Sequence, residues 1–390
     1  MEKVGIYIQV PFCQTKCTYC NFHTGVVSAG RFAPYVAAVC REIRERKNLW
    51  NAAGATFPTL QDRDHLVDTV YIGGGTPSLL EAELLAELLG TVRESFACEF
   101  TEVTLEADPE TIEAEKAAKW ATADINRISL GTQSFVDEEL KSAGRMHRRV
   151  DIYRAVPILR HAGIGNISFD LIAGLPKQTA DSWRLSVEES IALSPEHISI
   201  YMMEIDEGSR LGLEVLQGGA RYSAKDLPAE ESMAEFYETA QALLKSAGYE
   251  QYEISNWAKP GFASRHNLKY WRREPYFGFG AGAHSFSETQ RWANVHDAAA
   301  YVDGISAGGC AIQSVDVVTP EMALEEEFFL GLRQLSGINI ARIEKKYGVD
   351  FQEKVGRLET GGMVERDGAQ VRLPAGKLGV SNEIIVELLR

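Results

Sequence analysis

Three cysteines, Cys13, Cys17 and Cys20, stand within one short stretch near the start of the chain. Thiolates at spacings of four and three residues can each bind one corner of a four-iron, four-sulfur (4Fe-4S) cluster, which leaves the fourth iron without a protein ligand. That open iron can take the methionine end of S-adenosylmethionine (SAM) and hold its sulfonium for one-electron cleavage. A zinc site or three buried thiols also fit this spacing, so the cysteines alone leave those alternatives open.

A run of three glycines, Gly73, Gly74 and Gly75, provides a second signal. Glycine lets the backbone approach a ligand closely, where its polar groups can bind the methionine moiety. A glycine run after a strand is otherwise a tight turn, and alone it is a weak signal. Together with the cysteines it favours a cluster with bound SAM.

These residues need a framework, and the pattern of apolar residues predicts one of alternating strands and helices. The predicted strands are residues 4–10, 69–73, 100–107, 127–133, 166–172 and 197–203. The predicted helices between and after them are residues 31–49, 81–95, 111–121, 150–162, 179–192 and 229–246. Several strands are apolar nearly throughout, which is typical of a parallel sheet buried on both faces.

Six strand-helix units are fewer than a full eight-stranded barrel, so we predict an α/β fold with a partial (β/α)6 TIM-like barrel. Parallel barrels carry their chemistry at the C-terminal ends of the strands. The cysteine loop follows the first predicted strand, the glycines follow the second, and polar residues end the next three. We therefore expect these loops to meet at one rim.

Three domains are predicted: the barrel over residues 1–228, an aromatic-rich extension over residues 229–314, and a small domain over residues 315–390. The last contains helical patterns at 321–334 and 340–347 and strand-like pieces at 363–364 and 370–373. This order is typical of a winged helix. Because the segment is not visibly basic, a packing or partner role is favoured over DNA binding.

The formal net charge of -15 argues against nucleic-acid binding and against broad adsorption to anionic lipid. The sequence contains neither a stretch of about 20 apolar residues nor a recognisable signal peptide at its start. We therefore expect a cytoplasmic protein without a transmembrane segment, with any peripheral membrane contact made through partners.

The ordered motifs resemble the radical SAM superfamily, whose CxxxCxxC loop reads CQTKCTYC here. Within it, the chain resembles the branch that contains heme chaperones and oxygen-independent coproporphyrinogen III oxidases. The resemblance covers nearly the whole chain, through the motifs IYIQVPFC, YIGGGTPSLL, LEADPET, ISLGTQSF, GRMHRR and SFDLIAGLP. It implies a 4Fe-4S cluster on the three cysteines and a SAM molecule beside it.

The resemblance also implies roles for residues at the strand ends. Contacts to the cluster-bound SAM are implied for Tyr7, Gly74 and Glu106. Residues implied to line a neighbouring SAM or substrate site are Tyr19, Gly75, Thr76, Gln133, Arg145 and Asp170. Carboxylates can accept ribose hydroxyls and an arginine can pair with a carboxylate, although structural roles at the barrel end are the alternative.

Two features distinguish the branches. The oxidases carry a further cysteine two residues after the third, where this chain has Phe22, whereas the chaperones carry HNxxYW, present here as HNLKYW at 266–271. The resemblance implies that His266 ligates heme iron, with a packed histidine as the alternative. Arg265, Arg272 and Arg273 could meet heme propionates or could form a solvated charged face. The chain departs from the usual family pattern at Gln9, where a histidine is expected.

Three functions follow as hypotheses. The first is a chaperone that binds a 4Fe-4S cluster, SAM and heme, and transfers heme to heme-dependent respiratory proteins. The second is a coproporphyrinogen III oxidase-type enzyme of porphyrin biosynthesis, and the third is a radical SAM methyltransferase. All three share the SAM site, so the cluster motif does not distinguish them.

Overall fold

A computed structural model of the chain describes residues 2–55 and 65–389. Most of its strands join one large sheet. The strands are β1 (Glu2–Val10), β2 (Phe12–Cys13), β3 (Gly25–Val26), β4 (His65–Gly74), β5 (Ala97–Ala107), β6 (Arg127–Gln133), β7 (Asn166–Ala173), β8 (His197–Met202), β9 (Glu250–Glu253), β10 (Asn256–Ala258), β11 (Tyr276–Phe279), β12 (His284–Phe286), β13 (Gln290–Asn294), β14 (Ile312–Val317), β15 (Ile338–Asn339), β16 (Glu365–Asp367) and β17 (Gln370–Arg372).

Helices alternate with the first strands and then dominate the C-terminal part. They are α1 (Phe32–Ala52), α2 (Ala82–Ser95), α3 (Ala114–Thr122), α4 (Asp137–Ser142), α5 (Arg149–His161), α6 (Ala180–Leu193), α7 (Arg210–Leu216), α8 (Glu230–Ser246), α9 (Arg265–Trp271), α10 (Ala298–Ser306), α11 (Pro320–Gly331), α12 (Ile340–Tyr347), α13 (Gln352–Thr360) and α14 (Ser381–Leu389). Short 3-10 helices occur at Ala29–Arg31, Pro77–Leu79, Pro109–Thr111, Arg221–Asp226 and Ala375–Val380.

The six predicted strands are confirmed as β1, β4, β5, β6, β7 and β8, which pair in parallel in that order. This is the partial barrel that the repeated strand-helix pattern predicts. The sheet continues beyond both edges: β11 pairs in parallel with β1, and β10 pairs antiparallel with β8. Strands β12, β13 and β14 extend the first edge, and β9 extends the second.

The helices cover the outer face of the barrel because each presents an apolar stripe to it. Tryptophans on three of these helices, Trp50, Trp120 and Trp183, are fully buried in one continuous hydrophobic core. Burying large aromatic side chains stabilises the packing of helices on a sheet. The outer layer therefore fixes the strands whose C-terminal ends form the rim.

Helix α9 lies inside the barrel near the N-terminal ends of the strands, opposite the rim. The Glu102 carboxylate of β5 accepts hydrogen bonds from the Ser264 hydroxyl and from the backbone N–H groups of Arg265 and His266, at 2.9–3.2 Å. Lys269, nearly fully buried, pairs with Asp68 at 2.9 Å. A buried carboxylate that satisfies a helix N-terminus fixes that helix in place, because removing it would leave buried donors unpaired.

The C-terminal part has a hydrophobic cluster of its own, which includes Phe328, Ile343, Val355 and Val371. Its order is helix, strand, two helices, a β-hairpin and a last helix, α14, with β15, β17 and β16 forming a small sheet. This arrangement is winged-helix-like, as predicted, while the three domain boundaries stay a prediction. In the described part of the chain, no helix has the length and apolar character needed to span a membrane.

Candidate functional site

The cysteine loop begins at the end of β1 and leaves all three thiols half-exposed and free of disulfides. Burial raises the pKa of both Cys13 and Cys20, and neighbouring thiols add to the rise: Cys20 acts on Cys13, and Cys17 acts on Cys20. The Arg145 guanidinium donates to the Cys17 sulfur at 3.5 Å. The three thiols are therefore close together on one side of the rim, and the Cys17 sulfur lies beside a guanidinium.

The glycine loop at the end of β4 lies directly against the cysteine loop. The Gly75 N–H donates to the Val10 carbonyl at 2.8 Å, and the Thr76 N–H donates to the Phe12 carbonyl at 2.7 Å. A Cβ on Gly75 would overlap the Phe12 backbone, and one on Gly74, whose φ is +113°, would overlap the Gln9 side chain. Only glycine fits this close approach of two backbones.

Glu106, at the end of β5, lies under the glycine loop. Its carboxylate accepts hydrogen bonds from the Gly74 N–H at 2.8 Å and from the Tyr71 hydroxyl at 2.9 Å. Burial raises the pKa of Glu106 to about 7, although these two hydrogen bonds lower it, and the nearby Asp170 and Asp108 raise it further. The interior of the rim thus holds a carboxylate that is ready to accept hydrogen bonds from a ligand.

Arg145 connects several strand ends. Its guanidinium forms an ion pair with Asp108 and donates to the Gly131 carbonyl at 3.0 Å, in addition to its contact with Cys17. The Thr76 hydroxyl donates to the other Asp108 oxygen at 3.2 Å. The pair therefore joins the cysteine loop, the glycine loop and the ends of β5 and β6 into one charged network.

Asp170, in β7, lies deeper in the barrel. It accepts hydrogen bonds from the Ser129 hydroxyl at 2.9 and 3.2 Å. Burial raises the pKa of Asp170 to about 6. Gln133 ends β6 with a φ of +60°, an uncommon backbone conformation for a residue other than glycine. Its side-chain nitrogen lies near Gly131, where the Arg145 and Asp108 side chains also meet.

Two tyrosines border this network. Tyr7 donates its hydroxyl to the Gln9 side-chain oxygen at 2.6 Å and stacks on Tyr71 with ring centroids 6.0 Å apart. Burial raises the pKa of Tyr7 well above its ordinary value. Tyr19 packs on the small apolar cluster that includes Ile172. Gln9, which replaces the usual family histidine, thus contacts both Tyr7 and the region of Gly74.

His266 is not at the rim. Its imidazole is fully buried in the N-terminal half of the barrel, with Nδ1 2.9 Å from the Thr69 hydroxyl and Nε2 2.8 Å from the Tyr270 hydroxyl. Burial lowers the pKa of His266 to about 3, and the nearby Lys269 lowers it further, so the ring is neutral. Tyr71 is the link to the rim, because its ring lies 5.4 Å from His266 and its hydroxyl bonds Glu106.

The predicted propionate partners differ from each other. Arg273 is buried and donates from Nε to the Glu326 carboxylate at 2.7 Å, so its charge is already paired. Arg272 lies beside it in a surface cleft that also contains Glu327, Arg342 and Lys346. The hypothesis that Arg273 is available to a heme propionate is therefore not supported in this conformation.

The residues at the rim fit the predicted cofactors. Cys13, Cys17 and Cys20 would hold the cluster, while the backbone of the glycine loop and the Glu106 carboxylate would hold SAM. When bound, the two groups supply a reductively generated carbon radical. Among the described residues no three histidine, cysteine or carboxylate side chains converge on a single metal ion. A cubane instead offers a separate corner to each thiolate.

We predict that Glu106→Gln makes the stability of the cluster-free chain less dependent on pH. The pKa of Glu106 is raised from 4.5 to about 7 in the folded state, so the folded chain binds the extra proton between these values. The contribution of this group to stability is full below pH 4.5 and is lost as the pH rises through 7. At 1.36 kcal/mol per pKa unit, the variant should be more stable above pH 7 by at most about 3 kcal/mol.

Urea unfolding at a series of pH values checks this prediction, because the difference between wild type and variant removes the contribution of carboxylates that do not interact with Glu106. Glu231→Gln, at an exposed position of α8, is the matched control and should leave the pH dependence unchanged. Parallel stability curves for wild type and Glu106→Gln would contradict the prediction.

The structure brings most of the sequence-predicted site residues together around the cysteine and glycine loops and the ends of β5, β6 and β7. His266 is the exception, since it lies deeper in the barrel. The residues that sequence reasoning missed are Asp108 and Ser129, which position Arg145 and Asp170. Asp108 had a usable signal, because it stands two residues after Glu106 at a strand end. The assigned roles of all these residues stay predictions.

Comparison with known proteins gives the family. A model described as the radical SAM superfamily matches residues 7–189, and one described as the HemN C-terminal domain matches residues 318–375. The heme chaperone HemW of Bacillus subtilis is 36% identical over 88% of this chain and 86% of its own length. The protein of the same name from Escherichia coli K12 is 35% identical over 73% of this chain and 70% of its own length.

A solved structure agrees with the fold. Coproporphyrinogen III oxidase (HemN) from Escherichia coli, described as a radical SAM enzyme, matches with a TM-score of 0.83 over 99% of this chain and 90% of its own. At 20% identity this likeness shows the fold alone. The motifs, the rim and the close relatives agree, and this chain belongs to the HemW family within the radical SAM superfamily.

Proposed function

We propose that the protein is a radical SAM heme chaperone that binds a 4Fe-4S cluster, SAM and heme and transfers heme to heme-dependent respiratory proteins. The observation that carries the proposal is 36% identity over 88% of the chain to a relative named heme chaperone HemW. Phe22 supports it, because it stands where the oxidases carry a further cysteine, and its side chain is 65% exposed.

The rim supports the part of the proposal that concerns the cluster and SAM. Glu106 contacts the glycine loop, Arg145 contacts the cysteine loop, and the Phe12 backbone leaves no room for a side chain at Gly75. In this proposal the chain's own residues bind and orient SAM and exclude water from it. The acidic net charge favours direct contact with a receiving protein over adsorption to a lipid surface.

The position of His266 sets a condition on its predicted role as heme ligand. Both ring nitrogens already have hydroxyl partners, Thr69 and Tyr270. For His266 to ligate heme iron, at least one of these hydrogen bonds must break and α9 must move away from Glu102. His266 therefore stays a candidate ligand for an opened state of the barrel.

Two measurements on one preparation of the full chain with reconstituted cluster test the proposed function. We expect hemin to bind with one-to-one stoichiometry and to pass to an apo-heme protein when the two are mixed, as followed by the Soret absorbance. We also expect no conversion of coproporphyrinogen III with SAM under reducing, oxygen-free conditions. Conversion would favour the oxidase-type enzyme, and a chain that binds no hemin would overturn the chaperone.

A further inference from the structure

A buried polar network lies between helix α1 and the turn at residues 280–283 that follows β11. Its side chains belong to α1, β13 and α10 and have relative exposures of 2% or less: Tyr35, Glu42, Asn294 and Tyr301. Strand β11 pairs in parallel with β1, so the turn after it lies at the same rim as the cysteine loop. The network is therefore at the rim, outside the predicted cofactor contacts.

The Glu42 carboxylate holds this turn. It accepts hydrogen bonds from the Gly280 N–H at 3.0 Å, the Asn294 amide at 2.8 Å and the Tyr301 hydroxyl at 2.6 Å. The Asn294 amide also donates to the Gly280 carbonyl at 3.0 Å. A buried carboxylate is tolerated when hydrogen bonds satisfy it, and here those bonds fix both polar groups of the Gly280 backbone.

Tyr35 joins the turn to β1. It stands seven residues before Glu42, on the same face of α1. Its hydroxyl accepts a hydrogen bond from the Ala281 N–H at 2.8 Å and donates to the Gln9 carbonyl at 2.8 Å. The regular pairing of β1 with β11 ends one residue before Gln9, so the hydroxyl supplies a hydrogen bond at the point where the strand pairing stops.

The turn also packs directly against Gln9. Gly280 has a φ of +98°, and a Cβ there would lie 2.6 Å from both the Gln9 carbonyl oxygen and the Tyr35 hydroxyl oxygen. Only glycine allows this approach of two backbones. Because no space separates the turn from β1, a shift of the turn also shifts Gln9.

The Gln9 side chain lies between two residues with predicted contacts to SAM. Its oxygen accepts a hydrogen bond from the Tyr7 hydroxyl at 2.6 Å, and its amide group occupies the space that a Cβ on Gly74 would need. The Gly74 N–H in turn donates to the Glu106 carboxylate. A side chain in contact with two walls of a site helps to set the distance between them. The position of Gln9 therefore affects the geometry of the predicted SAM site.

We propose that Tyr35 and Glu42 are positioning residues of the SAM site, which act through the turn at 280–283 and hold Gln9 between Tyr7 and Gly74. The inference rests on the proposed function for the presence of SAM, and it extends the site to a layer of buried side chains behind Gln9. Such supporting groups keep ligand-contacting side chains in place, and in metal sites the loss of one costs about 10–100-fold in affinity or activity.

Equilibrium binding of SAM to the anaerobically reconstituted full chain tests the proposal. Tyr35→Phe deletes only the hydroxyl and should weaken SAM binding about tenfold. Glu42→Gln keeps the shape of the side chain but replaces an acceptor with a donor, and it should weaken SAM binding by a similar factor.

Tyr249→Phe is the matched control. Tyr249 is also buried, and its hydroxyl also donates to a backbone carbonyl, that of Pro195, at 2.7 Å. Pro195 precedes β8, so this hydrogen bond lies at the opposite end of the barrel from the rim. Urea unfolding should show similar losses of stability for Tyr35→Phe and Tyr249→Phe, whereas the control should bind SAM as wild type does.

A double-mutant cycle and a spectroscopic signal separate positioning from a general loss of stability. If Tyr35 acts through Gln9, adding Tyr35→Phe to Gln9→Ala should weaken SAM binding by no more than about twofold further. The EPR spectrum of the reduced cluster responds to ligands of the open iron. In Tyr35→Phe this response should need about tenfold more SAM than in wild type.

The proposal is overturned if Tyr35→Phe binds SAM as wild type does, or if the losses from Tyr35→Phe and Gln9→Ala add in the double variant. Tyr35→Phe leaves the ring packing in place, so it decides the question even if Glu42→Gln does not fold. Either of these results leaves the proposed function standing. A reconstituted wild-type chain that binds no SAM overturns both proposals.

Discussion

Cys17→Ala is expected to abolish assembly of the cluster. Cys17 is the middle thiol of the loop and is the one that the Arg145 guanidinium contacts. With two thiolates left, the cubane loses a corner ligand that nothing else in the loop replaces. After anaerobic reconstitution, wild type should show the brown iron-sulfur absorbance near about 400 nm, with about four iron and four sulfide per chain, and the variant should lose nearly all of both.

Cys98→Ala is the matched control for this experiment. Cys98 is half-buried at the start of β5, at the opposite end of the barrel from the rim, so its removal should leave iron and sulfide contents unchanged. Zinc in the wild-type chain, or a full cluster in the Cys17 variant, would contradict the assignment of these thiols.

Gly75→Ala is expected to weaken SAM binding by about 100-fold or more, since a fixed backbone cannot yield without moving a binding loop. A Cβ at this position would overlap the carbonyl and N–H of Phe12, which lead into Cys13. The two loops must separate, and both the glycine backbone and the cysteines then shift. Equilibrium binding of SAM to the anaerobically reconstituted chain measures the effect.

Gly90→Ala provides the comparison. Gly90 lies within α2, and a Cβ there meets nothing within 4 Å, so SAM affinity should not change. The substitution should stabilise the chain slightly, by about 0.5–1 kcal/mol, because alanine is the better helix former. Equal SAM affinities for wild type and Gly75→Ala would show that the contact between the loops is not needed for the site.

The sequence predicts the barrel well because its strands are long apolar runs and its helices have clear amphipathic periodicity. All six predicted barrel strands are present, and β6 has the predicted bounds. The strands β9 to β14 of the predicted aromatic-rich extension are not themselves predicted, because they have three to six residues and lie in a segment rich in aromatic residues and turns. Strands this short give too weak an alternation of apolar and polar residues to be predicted from the local sequence.

The candidate site is likewise only partly predictable from the sequence. The cysteine and glycine loops are visible in the sequence because their residue types and spacing carry the chemistry. The partners of Arg145 and His266 are not, because they come from distant parts of the chain: Asp108 is 37 residues away and Thr69 is 197 residues away. Burial of His266 depends on α9 entering the barrel, and nothing in the hexapeptide motif encodes that position.

Helix α9 closes the N-terminal end of the barrel, where contacts of Glu102 and Lys269 hold it. A ligand therefore reaches Glu106 and Asp170 through the opening beside the cysteine loop. Under the proposed function, SAM and the group that reduces the cluster would approach the site through the same opening.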